Sequence, residues 1–143
     1  MAGHHLASLS RACWVAPVRA GHQLFEEGGA AHRFWLLQSG QVALDLHSPS
    51  GRGLIVETLG PGELVGLSWL VPPYQWQFNA TAVHDTMTFE FNVDAVRAAC
   101  ESDAGLGFQL LQRAMAVASS RLQATRIRML DLYAASDAVR GGP

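Results

Sequence analysis

The 143-residue chain contains no lysine, so its ten side chains of the Lys/Arg class are all arginines. The formal net charge is −2 and the isoelectric point is near 6.3. Proteins that coat DNA or RNA carry a basic excess, and this charge balance argues against that class. Between Arg52 and Arg97 the only basic side chain is that of His84. This gap limits where an anionic ligand could find a cation.

Cysteine and long apolar runs are also scarce. Cys13 and Cys100 lie far apart in the sequence, which gives neither a disulfide framework nor a CxxC metal site. We expect two reduced, partly buried thiols. No apolar run approaches the length of a membrane span, and the N-terminus lacks the pattern of a signal peptide. We therefore expect a cytoplasmic protein that makes no contact with a membrane.

The chain has the length of one domain, and with 49% hydrophobic and 15% charged residues it can bury a core. Residues 1–20 are predicted to form an N-terminal helical arm, because Leu6, Leu9 and Cys13 follow helical spacing. Residues 21–143 are predicted to form a β-barrel that ends in a long helix.

Short apolar segments separated by glycine-bearing turns make up residues 21–92. Several alternate apolar and polar residues, as at Val42, Leu44 and Leu46. Turns about every 8–12 residues are typical of an all-β sandwich or barrel. We predict a mainly β fold with flanking helices, with strands over 34–37, 42–46, 54–59, 80–83 and 87–91.

After Asn92, which suits an N-cap, the pattern becomes helical, and we predict helices over 93–100 and about 104–134. In the long helix, apolar positions follow alternating spacings of four and three residues, the heptad pattern of two paired helices. This pattern predicts a homodimer through the C-terminal helix. A helix packed on its own barrel would give a similar but wider stripe. The seam residues are Leu111, Met115, Ala118, Leu122, Thr125, Met129 and Leu132.

Three strings occur in the order and spacing of a known family. They are Leu24-Phe-Glu-Glu-Gly with Phe34-Trp-Leu-Leu-Gln-Ser-Gly-Gln-Val, then Leu59-Gly-Pro-Gly-Glu-Leu-Val-Gly, then Ser120-Arg-Leu-Gln-Ala-Thr-Arg. The pattern resembles the cyclic-nucleotide-binding domain of catabolite-activator-type (Crp/Fnr) bacterial regulators. The resemblance implies a double-stranded β-helix (jelly-roll) barrel, a regulatory role, and cAMP or cGMP as the ligand.

The second string leads into the family's phosphate-binding cassette, which corresponds to residues 66–80. Members that bind cyclic nucleotides have Phe-Gly-Glu and then Arg-Ser/Thr-Ala there. The glutamate holds the ribose 2′-hydroxyl, and the arginine neutralises the phosphate. Here Gly66 and Ala80 match, but Leu67 replaces the glutamate, Phe78 the arginine and Asn79 the serine or threonine. The resemblance therefore implies a degenerate cassette.

The resemblance also implies a contribution from the long helix. Thr125 matches the threonine that contacts the adenine base, and Arg126 follows it. Because the cassette lies in the segment without arginine, the charge for a phosphate would come from Arg126 first and Arg121 second. The candidate ligand-binding residues are Gly66, Leu67, Ser68, Trp69, Phe78, Asn79, Ala80, Thr81, Thr125 and Arg126.

The cassette also contains an aromatic, proline-stiffened insertion. Trp69, Tyr74, Trp76 and Phe78 would either line a pocket for a flat ligand or close the barrel end as core residues. A filled pocket would favour a ligand-free module that binds a partner protein.

Other function classes have little support in the sequence. We find no paired carboxylates, nucleophile elbow or P-loop, which argues against an enzyme. The His-x-His of jelly-roll metal sites is absent, and no spacing singles out Cys13, His22 or His84 as a haem ligand.

The leading hypothesis is a stand-alone, dimeric sensor domain that responds to a small molecule. The alternatives are a ligand-free interaction module and a Crp/Fnr-type transcription regulator whose DNA-binding domain is missing. We expect no DNA binding within this chain, because the family's winged helix-turn-helix would follow the long helix.

Overall fold

The structure is a computed structural model, which describes residues 9–47 and 53–140. From residue 13 onward, these described residues contain eight strands followed by two helices, and a 3-10 helix, Ser68–Leu70, lies between the sixth and seventh strands. The strands are β1 Cys13–Val18, β2 Gln23–Phe25, β3 Arg33–Ser39, β4 Val42–His47, β5 Gly53–Leu59, β6 Leu64–Val65, β7 Asn79–Ala82 and β8 Thr86–Asn92. The helices are α1 Val93–Ser102 and α2 Ala104–Arg140.

The strands form two four-stranded antiparallel sheets with the orders β1-β8-β3-β6 and β2-β7-β4-β5. This arrangement confirms the predicted jelly roll. One core cluster joins side chains of both sheets, among them Trp35 and Leu37 from β3 and Val42 and Leu44 from β4. Residues two apart on a strand share a face, so each of these strands directs its apolar positions toward the core.

The predicted helical arm is wrong for its second half. Cys13–Val18 form β1, which pairs with β8 along its whole length, and Leu6 lies outside the described residues. The helical spacing was overridden by backbone pairing with a strand more than 70 positions along the chain. Pro17 has no N–H to donate to a neighbouring strand. It is tolerated because β1 lies at the edge of its sheet, where proline is commonly found.

The five predicted strands correspond to β3, β4, β5, β7 and β8. The short strands β2 and β6 are not among these five and have three and two residues. Strands this short contain too few positions for an alternating pattern to be recognised.

Asn92 caps α1, as predicted. Its Oδ1 accepts a hydrogen bond from the backbone N–H of Ala95 at 2.9 Å, and the helix buries Val93 and Val96. At the start of α2, Asp103 Oδ1 accepts hydrogen bonds from the N–H groups of Gly105 and Leu106 at 3.0 and 3.2 Å. The sharp turn between the helices is thus stabilised by side-chain caps at two consecutive helix starts.

Helix α2 has 37 residues and ends later than predicted, at Arg140 rather than near residue 134. Ala134, Ala135 and Ala138 favour the helix, and the first following glycine is Gly141. The chain divides into two compact units, residues 1–110 with the barrel and α1, and residues 111–143 with most of α2. None of the helices in the described part of the chain has the length and hydropathy needed to cross a membrane.

Replacing the α1 cap tests this account of the helix start. We expect Asn92→Ala to lower the free energy of unfolding by about 1 kcal/mol, because the Ala95 N–H loses its partner. Urea denaturation measures the loss. Asn92→Ser retains a capping oxygen and should stay within a few tenths of a kcal/mol of the wild type. Equal stability of the two variants would contradict the capping role.

Candidate functional site

The cassette begins at Gly66, directly after β6. Gly66 has φ +96°, which an L side chain rarely adopts. An ideal Cβ at this position would lie 2.8 and 2.9 Å from Cζ3 and Cη2 of the Trp76 ring. Glycine is therefore needed here twice, for the backbone conformation and for the close approach of the indole.

The Trp76 ring is closely surrounded by two aromatic side chains and two glycines. Its ring stacks on Phe25 with centroids 3.9 Å apart at 11°, and Trp35 lies at 5.9 Å in a tilted arrangement. On a second side, an ideal Cβ on Gly29 would be 3.4 Å from Cδ1 of the ring. We call the surround formed by Phe25, Gly29, Trp35 and Gly66 the indole seat. It leaves Trp76 only 5% exposed.

The backbone of Trp76 is held by the loop between β2 and β3. Gly28 N–H donates to the Trp76 carbonyl at 2.9 Å, and Trp76 N–H donates to the Gly29 carbonyl at 2.8 Å. Nearby, Ala31 N–H donates to the Tyr74 carbonyl at 2.8 Å. These bonds form a short ladder that fixes the end of the cassette independently of the indole ring.

Asn79, one of the predicted ligand-binding residues, supports the same loop. Its side chain is buried, and Oδ1 accepts a hydrogen bond from the Glu27 N–H at 2.8 Å. Because a buried amide needs partners for its polar atoms, this bond gives Asn79 a structural role.

A carboxylate orients the indole of Trp35. Glu90 faces Trp35 across the β3–β8 pair, and its Oε1 accepts from Trp35 Nε1 at 2.8 Å. Its Oε2 accepts from an Arg33 guanidinium N–H at 3.3 Å. The Glu90 side chain is only 12% exposed, so Arg33 offsets a negative charge that lies close to the indole seat.

A second aromatic stack lies at the 3-10 helix. Trp69 stacks on Phe34 at 4.9 Å and 10°, and Phe34 stacks on Phe91 at 4.7 Å and 1°. The Arg97 guanidinium packs over the Trp69 and Tyr74 rings at 5.7 and 5.0 Å. It also donates a hydrogen bond to the Trp69 carbonyl. Arg97 thus brings a positive charge to the cassette from α1.

Arg97 was not among the predicted site residues, because the resemblance placed the cation on the long helix. Two signals were available. Arg97 closes the arginine-free segment, and it follows Val96, which faces the core. A residue next to a buried helical position lies at the margin of the packed face, where a long side chain can reach a neighbouring loop.

The structure places eight of the ten predicted ligand residues on the cassette and β7. Gly66, Trp69, Asn79 and Ala80 are buried, and Leu67, Ser68, Phe78 and Thr81 are partly buried. Trp69 and Trp76 belong to the core, Phe78 packs against it, and Tyr74 is exposed. For the two tryptophans, the interpretation as core residues is therefore correct.

The other two predicted residues lie on α2, in the second unit. Thr125 and Arg126 are both exposed there. Thr125 Oγ1 donates to the Arg121 carbonyl at 2.9 Å, a local bond within the helix.

Residues 9–47 and 53–140 contain no group of three His, Cys, Asp or Glu side chains that could hold a metal ion. Both cysteines are free. Burial raises the pKa of Cys13 and of Cys100, and the nearby Asp103 charge raises the pKa of Cys100 further. Both thiols therefore stay protonated at neutral pH, which disfavours metal binding and nucleophilic chemistry.

Known proteins share this architecture. A cyclic nucleotide-binding domain from Methylobacillus flagellatus superimposes with a TM-score of 0.83 at 18% identity, over 92% of this chain and 74% of that one. The N-terminal domain of a transcriptional regulator from Streptomyces coelicolor gives 0.70 at 26% identity, over 90% and 87%.

A curated relative extends the similarity to sequence. The CRP-like cAMP-activated global transcriptional regulator of Mycobacterium tuberculosis is 25% identical over 127 residues, which is 89% of this chain. The chain spans 55% of the length of that relative. The similarity thus covers nearly all of this chain but only about half of the regulator.

The family model of the cyclic nucleotide-binding domain matches residues 15–103. This match covers the barrel, the cassette and α1, and it includes more than half of the chain. The chain belongs to the cyclic nucleotide-binding domain family.

Proposed function

We propose that this chain is a cytoplasmic regulatory domain of the Crp type, not an enzyme, that receives its signal without the family's ribose and phosphate contacts. The observation that carries the proposal is the Trp76 indole lying directly against Gly66. Leu67 and Phe78 add apolar side chains at the positions where the family has glutamate and arginine. The candidate site is therefore filled and apolar where a cyclic nucleotide would bring an anion.

The electrostatics support this reading. A phosphodiester moved from water into a buried site without a cation or donors costs several kcal/mol. The charged groups described near the aromatic residues are already engaged, Arg97 with Trp69 and Tyr74 and Arg33 with Glu90. The cAMP activation stated for the mycobacterial relative is thus not carried over to this chain.

Signal transfer in this proposal uses the long helix. A ligand or partner that binds one arrangement of barrel and helix better than another shifts the population between them. A pair of α2 helices in a homodimer would pass that shift from one chain to the other.

Dimer formation is supported by the surface of α2. The five large seam residues, Leu111, Met115, Leu122, Met129 and Leu132, are between 52% and 67% exposed in the single chain. The small seam residues Ala118 and Thr125 are exposed as well. At about 1.5 Å per residue the 37-residue helix is about 55 Å long, ample for a paired coil. Pairing removes this apolar stripe from water.

A second candidate, a ligand-free module that binds a partner protein, is favoured by the filled indole seat and by the cassette loop. Val71, Pro72, Pro73 and Tyr74 are all exposed and form a continuous apolar segment. Such a segment on a domain without an open ligand site is suited to contact with another protein.

Calorimetric titration with cAMP and with cGMP tests the absence of the usual contacts. We expect no saturable heat at high micromolar nucleotide, because Leu67 and Phe78 offer neither the acceptor nor the charge. A saturable isotherm with a micromolar dissociation constant would overturn the proposal. Loss of that heat in Arg126→Ala would then assign the missing charge to the helix.

The dimer is tested by a pair of neighbouring substitutions on α2. We expect Leu122→Arg to weaken dimerisation by about 3 kcal/mol or more, since two leucines leave the seam and each contributes about 1.5–3 kcal/mol. Gln123→Arg adds the same charge beside the seam and should leave the dimer intact. Sedimentation equilibrium at low micromolar concentration distinguishes them. A monomeric wild type, or equal effects of the two arginines, would refute the helix pair.

A further inference from the structure

We propose that Trp76 is an internal ligand, whose indole occupies a site for a flat, uncharged, bicyclic aromatic molecule beside the cassette glycine. An external molecule of this class binds there only when the indole is removed or displaced. This inference rests on the proposed function, because it explains how the cassette is filled when no nucleotide is held there.

The indole seat has the shape of a site for a planar ring. One wall is the Phe25 ring, stacked 3.9 Å from the indole at 11°. Two glycines from separate segments lie against opposite ends of the ring, Gly29 near Cδ1 and Gly66 near Cζ3 and Cη2. The indole is thus stacked on one ring and bordered at both ends by glycines, and enclosed, largely apolar surrounds of this kind bind planar ligands. The surround fits a bicyclic ring closely.

The backbone ladder holds the loop beside the indole seat independently of the indole ring. Trp76 is held by the bonds from Gly28 and to Gly29, and both use only its backbone. The neighbouring bonds Ala31–Tyr74 and Glu27–Asn79 do not involve Trp76 at all. The loop that carries Gly29 therefore keeps hydrogen bonds when the ring is removed, and Trp35 keeps its bond to Glu90. We expect truncation of the ring to leave an apolar cavity.

Charge selects the class of ligand. The four residues of the indole seat, Phe25, Gly29, Trp35 and Gly66, are uncharged. Behind Trp35 lies the Glu90 carboxylate, which accepts its indole N–H at 2.8 Å. An anionic ligand would lose its hydration among these four residues without gaining a cation. A neutral aromatic ring avoids this cost.

Indole itself is the probe. We expect Trp76→Ala to unfold at a lower temperature than the wild type, and millimolar indole to raise its midpoint by about 3 °C or more through mass action. The wild type should show no such shift, because its site is already occupied. Indole-3-carboxylate should bind the variant at least about tenfold more weakly than indole. Stabilisation of the wild type by indole, no effect on folded Trp76→Ala, or equal binding of the two probes would overturn the proposal.

Trp69→Ala is the matched control. Trp69 is as buried as Trp76, at 5%, and it also stacks on a phenylalanine. Its cover, however, includes the exposed side chains of Arg97 and Tyr74, so its removal opens the site to water. We expect no rescue by indole. Equal rescue of both variants would show that the glycine-walled seat has no special role and would refute the inference.

A pair of glycine variants tests the seat even if Trp76→Ala fails to fold. Gly66 and Gly62 have φ +96° and +84°, but only Gly66 has the indole against its Cβ position, and Gly62 meets nothing within 4 Å. Gly66→Ala should displace the ring, red-shift the tryptophan emission and lower the unfolding midpoint more than Gly62→Ala. Equal effects would overturn the proposal. Nucleotide binding by the wild type would instead refute the proposed function, so the two failures are distinguishable.

Discussion

The stacking of Trp76 on Phe25 against the bare backbone of Gly66 is the contact on which this end of the barrel depends. It joins β2 to the two ends of the cassette, which lie about 40 or more positions further along the chain. The ladder to Gly28 and Gly29 holds the indole in register with its seat. Because interiors are close-packed, a ring placed here excludes another molecule from the same volume. Residues of the candidate site, such as Trp76 and Phe25, are thus also residues of the core.

Charge is arranged around this apolar centre and not within it. Glu90 is satisfied by Trp35 and Arg33, and Arg97 packs on the aromatic surface of the cassette. Glu90, Arg33 and Arg97 therefore each have a partner, and none of the four residues of the indole seat is charged. The family match accounts for the barrel and α1, whereas in our proposal the ligand chemistry depends on the side chains at positions 67, 76 and 78.

Parts of the fold whose conformation is set by residues nearby in the sequence could be predicted. The alternation in β4 and the cap at Asn92 depend on neighbours within a few residues. The β1 strand was missed because its conformation is decided by pairing with β8. Arg97 was missed because its partners Trp69 and Tyr74 are on the cassette and no local pattern links them.

The amino-acid order by itself determined the jelly-roll class and the order of barrel and helices. Only the tertiary structure decided that Trp69 and Trp76 belong to the core and do not line a pocket as exposed side chains. The physical reason is that a large aromatic side chain looks the same in sequence whether it borders a cavity or occupies it. Here the conformation of Gly66 and the stacking on Phe25 place the Trp76 ring in the cassette.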